Sequence, residues 1–204
     1  MGAQVGLRGH MPTTPDLGNA SGGKMKYTIR DIAEIGIFVG LALILNLPIF
    51  SIHIMSGAGS ISFYLIPLCI IALRKSWWKT FIATGIVYGL CACLMDGYGL
   101  QTYPLDYLLS YGALAVISLV RVPIFKAKYG IIYLITTLGV ATLLRIFFAT
   151  LDGMWIFHFT FVSSLVYNAT YVSITGAVTL GVLIILYHPL KIIIERYPDT
   201  KEIQ

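Results

Sequence analysis

Six stretches of the chain, 32–50, 61–73, 80–95, 105–120, 129–150 and 159–186, are apolar almost without interruption, and short polar breaks separate them. Most are near the roughly 20 residues that a helix needs to cross the hydrocarbon core of a bilayer. In lipid the backbone must satisfy its own hydrogen bonds, so such runs form helices. The second run spans only about 20 Å as a helix at 1.5 Å per residue; it must borrow length from its flanks or lie sheltered among its neighbours. Composition agrees: 57% of the 204 residues are hydrophobic and 11% are charged, where a soluble domain carries about 25% charge. A large soluble catalytic domain is excluded, as is a transporter built from two repeated bundles.

The basic residues set the expected topology. Lys24, Lys26 and Arg30 precede the first run, Arg74, Lys75 and Lys79 lie between the second and third, Arg121, Lys126 and Lys128 between the fourth and fifth, and Lys191, Arg196 and Lys201 follow the last. The alternate loops at 51–60, 96–104 and 151–158 hold no Lys or Arg. The positive-inside rule then predicts an all-α integral membrane protein, six transmembrane helices in one bundle with both termini cytoplasmic. The net charge of +5 is a topology signal, and no nucleic-acid partner is expected.

Residues 1–24 are polar, lack apolar periodicity and read as a disordered tail or a cloning-derived segment, leaving 25–204 as the membrane domain. Within the tail, Gly18 to Lys24 fits the start of a phosphate-binding loop, but Met25 stands where Ser or Thr is required and no apolar strand precedes it. Cys69, Cys91 and Cys93 are odd in number and lack zinc-ligand spacing, so they read as packing residues. No cofactor or metal is expected.

Uncommon chemistry collects at the end opposite the basic loops: His53, Asp96, Asp106, Asp152, Trp155 and His158, with Tyr98, Tyr103 and Tyr107. Asp96 and Asp152 read as solvated loop acids. Asp106 heads the fourth apolar run, where an ionisable group is costly and faces a cavity or a partner charge. Two readings stand: it faces a ligand, or it pairs with Arg145. Arg145 itself reads as a structural partner for a carboxylate or for carbonyls at the helix end. In the sixth run Ser164, Asn168 and Tyr171 share a helical face and Tyr167 lies four residues before Tyr171. Asn168 serves either as interhelical glue or as a combined donor and acceptor for a heterocycle. An acid among aromatic rings suits a small organic cation. Gly36 and Gly40 form a small-xxx-small pattern on the first helix that allows another helix to approach closely.

Four stretches resemble the substrate-binding S components of energy-coupling factor (ECF) vitamin transporters, and most of all the thiamine-specific family: 34–43 with Gly36 and Gly40, 61–74, the pair Asp106-Tyr107, and 164–171. The resemblance implies a subunit of the prokaryotic plasma membrane that captures a small cationic or heterocyclic vitamin, thiamine first, from outside. It implies partnership with a coupling transmembrane subunit, touched by Gly36 and Gly40, and two cytoplasmic ATPases. It assigns ligand contact to Asp106, Tyr107, Asn168 and Tyr171, with Ser164, Tyr167, Trp155 and His158 beside them. The chain departs from the family pattern in three places: 53–59 lacks a tryptophan, the residues after Arg145 lack a histidine, and Ser163 stands where an aromatic is usual. A related pyrimidine or pyridoxine-type vitamin is the alternative ligand. An intramembrane enzyme finds no support in any catalytic motif, and a ligand-free assembly subunit would be indifferent to substitution of Asp106 or Asn168.

Overall fold

The computed structural model describes residues 27–53 and 60–196. The tail with its loop-like Gly18–Lys24 motif lies outside them, as does Lys201. Besides a 3₁₀ turn at Pro48–Phe50, seven helices lie among the described residues: α1 (Ile29–Leu45), α2 (Leu65–Arg74), α3 (Trp77–Asp96), α4 (103–119), a short α5 (Arg121–Lys126), α6 (Gly130–Trp155) and α7 (Phe161–Arg196). Three of them, α3, α6 and α7, are long and apolar enough to cross a membrane, and α2 is apolar but only 10 residues long. Ile52–His53 and Ser60–Ile61 form a two-residue antiparallel ribbon before α2, with Ile52 opposite Ile61. Neither this ribbon nor α5 is marked by the apolar periodicity of the sequence.

The short α2 resolves its own paradox by burial. Leu65, Pro67, Leu68, Cys69, Ile71, Ala72 and Leu73 are all buried, so it is the central rod of the bundle and is sheltered by α1, α4 and α7. Its apolar residues match protein on every side, which is why its sequence shows no polar face.

Two close approaches fix α3 against α4. A Cβ at Gly85 would lie 2.8 Å from the Leu108 carbonyl oxygen, and one at Gly89 3.1 Å from that of Tyr107. This second small-xxx-small pair, absent from the sequence reading, is what the bundle uses internally. Both helices carry a π-helical stretch here, Ile82–Tyr88 and Tyr103–Leu109, a wider turn that often marks functional sites. Helix α3 ends on Gly97 at φ 74°, a left-handed turn that glycine adopts without a Cβ clash. By contrast, nothing lies within 4 Å of a Cβ built on Gly36 or Gly40. Among the described residues no other helix presses on that pair.

The basic end is held by ions. Asp31 accepts from Lys75 at 2.7 Å and Lys79 at 2.6 Å, while Glu34 pairs with Lys75 at 2.7 Å and with Arg74. Asp31 also receives the backbone N–H of Thr28, which starts α1. The Lys79 side chain is 1% exposed. Lys75 and Lys79 are thus buried counter-ions that tie α1 to α2 and α3, as well as marks of a basic loop. Helix α7 runs ten residues past the apolar run, through Pro189, with Leu190 packed on the bundle, and Tyr187 donates to the Ile124 carbonyl at 2.6 Å.

Candidate functional site

At the opposite end, α4, α6 and α7 meet around a buried polar group. Its base is Arg145, 3% exposed at the middle of α6. Its Nη2 donates to the Tyr64 hydroxyl at 3.1 Å and its Nε to Ser110 Oγ at 3.3 Å, while the guanidinium stands 4.5 Å over the Tyr111 ring. Tyr88 completes the cage, stacked on Tyr64 at 5.8 Å and edge-on to Tyr111 at 4.9 Å. The expectation that Arg145 answers a carboxylate or helix-end carbonyls is corrected: among the described residues it makes no ion pair, and hydroxyls and ring faces hold it instead. A planar, weakly hydrated cation is suited to such a cage.

The alternative Asp106–Arg145 ion pair is therefore not formed. Asp106 sits in the π-helical opening of α4, half-buried, with its backbone N–H bonded to the Thr102 carbonyl. Its neighbour Tyr107 is 2% exposed and donates to Asp96 at 2.9 Å. That bond ties α4 to the end of α3, where Asp96 is exposed as the sequence reading expects and also accepts from Tyr107.

Helix α7 contributes a closed chain of hydrogen bonds. Asn168 Nδ2 donates to the Ser164 carbonyl at 2.9 Å and to Ser164 Oγ at 3.3 Å; Tyr171 donates to Asn168 Oδ1 at 3.1 Å; Ser164 Oγ donates to the Thr150 carbonyl on α6 at 3.0 Å. Ser164 and Asn168 are buried, and Tyr171 is half-buried. Gly153 allows this contact, since a Cβ there would collide with Ser164 Oγ. Tyr167 packs on Tyr171 at 5.4 Å yet is 41% exposed. Trp155 is 65% exposed, and His158 is exposed at φ 55° in the turn between α6 and α7. These three lie at the rim, outside the buried group.

Asp152 differs from its sequence reading as a loop acid. Helix α6 continues to Trp155 rather than stopping at 150, and Asp152 lies on its inner face, 2% exposed. Sequence reasoning also missed Tyr64 and Tyr88, for which the available signal was a tyrosine inside each of two apolar runs. The side chain of His53 and the loop 54–59 lie outside the description. Among the described residues there is no His, Cys, Asp or Glu group able to hold a metal ion.

The family model described as "Thiamine transporter protein" matches residues 32–194. Among solved structures the chain is similar to ThiT from Listeria monocytogenes, with a TM-score of 0.61 at 20% identity, covering 83% of this chain and 95% of that one. At that identity the likeness is one of fold. No curated protein matches.

Proposed function

The chain belongs to the thiamine transporter protein family, and from that premise we propose that it is the substrate-capture S component of an ATP-driven ECF-type importer that takes thiamine from outside the cell. The family is one of transporters, not enzymes. The observation that carries the ligand reading is Asp106: a half-buried carboxylate in an apolar helix that makes no ion pair among the described residues. Arg145, the one base of that region, is already held by tyrosines. An acid left open at such depth favours a cationic guest, and thiamine carries a permanent positive charge on its thiazolium ring. Asn168, Tyr171 and Ser164 form the opposite wall, with Tyr107 behind Asp106 and Tyr167, Trp155 and His158 at the rim.

Six crossings with both termini in the cytoplasm agree with the basic ion cluster at one end and the acidic group at the other. The coupling transmembrane subunit would dock on α1, where Gly36 and Gly40 leave open space, and two cytoplasmic ATPases would supply the energy. Purified protein should release thiamine on denaturation, identifiable by mass spectrometry, and should bind added thiamine saturably in calorimetry. Asp106→Asn should weaken that binding by about tenfold or more, the worth of a charge-assisted contact. No retained molecule and no saturable binding of thiamine would overturn the reading.

A further inference from the structure

We propose that Asp152 is a second ligand-binding carboxylate, which accepts a hydrogen bond from the exocyclic amine of the ligand's aminopyrimidine ring and so selects for that group. The inference rests on the thiamine reading and deepens it. Asp152 is 2% exposed, and its Oδ1 is buried with no hydrogen-bond partner. An unsatisfied carboxylate oxygen in such a place costs free energy that only a donor recovers. Helix α6 packs against the stretch of α4 that carries Asp106, so the two acids come from neighbouring helices. No cation among the described residues forms an ion pair with either.

Asp152 lies two helical turns from Arg145 on the same face of α6, about 10 Å along the axis. Between them that face carries Ala149, a small buried residue. On α7 the polar groups of the 164–171 stretch are committed to one another, and the unpartnered hydroxyl of that helix, Thr175, lies a turn further along it. Both Asn168 Nδ2 bonds go to Ser164, Asn168 Oδ1 already receives Tyr171, and Ser164 Oγ is committed to Thr150. An amine entering this region therefore meets Asp152 Oδ1 as the charged one of two free buried acceptors on α6, the other being Thr150 Oγ1, while the ligand's ring cation answers Asp106.

The test uses the purified full chain and two probes: thiamine, and oxythiamine, in which a carbonyl oxygen replaces the exocyclic amine. Wild type should prefer thiamine. Asp152→Asn should weaken thiamine binding by about tenfold and change oxythiamine binding by less than about threefold, narrowing the preference. A general loss of structure lowers both affinities together and leaves their ratio unchanged, so an unchanged ratio, or unaltered thiamine affinity, overturns the proposal. Where Asp152→Asn does not yield folded protein, Asp152→Ser is read by the same ratio. Failure of wild type to bind thiamine overturns the thiamine reading itself, a result distinct from normal wild-type binding with an unaltered variant.

Discussion

Arg145 is the residue on which the outer half of the bundle is organised, because a buried cation without a carboxylate must be balanced by many weaker partners. Two hydroxyls and one ring face hold the guanidinium in three directions at once. Lysine keeps the charge but lacks the planar fork and the stacking face. Arg145→Lys should therefore lower stability by about 2 kcal/mol, read as a drop in the thermal unfolding midpoint in detergent, and an unchanged midpoint would refute the cage as a structural anchor. At this scale the sequence was informative about Asp106 and Asn168, since a polar residue inside an apolar run is conspicuous. It was silent about Tyr64 and Tyr88, which are ordinary in membrane helices until a cation is found between them. It misread Asp152, because two residues beyond an apolar run look like loop whereas α6 carries on through them.

Among the elements, the two glycine pairs behave in opposite ways. Gly85 and Gly89 press α3 onto the backbone of α4, whereas a Cβ on Gly36 or Gly40 of α1 would meet nothing among the described residues. Gly85→Ala places a Cβ 2.8 Å from a carbonyl oxygen, which a rigid backbone relieves only by shifting, at a cost of about 1–3 kcal/mol. Gly40→Ala should leave the isolated protein as stable or slightly more so, since alanine is the better helix former. Thermal unfolding of the two variants side by side checks this, and equal losses would contradict it. Both pairs carry the same sequence pattern, and the neighbouring helix alone distinguishes them. The short α2 shows the reverse case: its length excluded a simple crossing, and the sequence correctly left shelter by other helices as a solution.

Across the whole molecule the charges are segregated, with a buried ion cluster at one end and uncompensated acids at the other. Asp31 lies between Lys75 and Lys79, whose side chains are 5% and 1% exposed. Removing it takes a carboxylate from both buried ammonium groups, Lys75 keeping Glu34, and breaking such a buried pair costs about 3–5 kcal/mol. Asp31→Asn should accordingly be strongly destabilising. Lys191→Ala should be nearly silent, because its pair with Glu195 is exposed and 4.0 Å long. Chemical or thermal unfolding of both variants decides the matter, and a mild Asp31→Asn would show that the cluster is dispensable.

The sequence by itself determined that the chain lives in a bilayer as a helical bundle, which end is basic, which family it belongs to, and that an acid and an amide sit within apolar helices. These are local properties: hydropathy and residue type are written position by position. The tertiary structure alone decided which polar groups satisfy one another. Arg145 meets Ser110 and Tyr64, 35 and 81 positions away, and Lys79 meets Asp31 at 48. Such pairings depend on how helices rotate and cross, and no periodicity encodes that. The structure thereby separated the committed groups, Asn168 and Tyr107 among them, from Asp106 and Asp152, whose carboxylates no cation of the described chain pairs with.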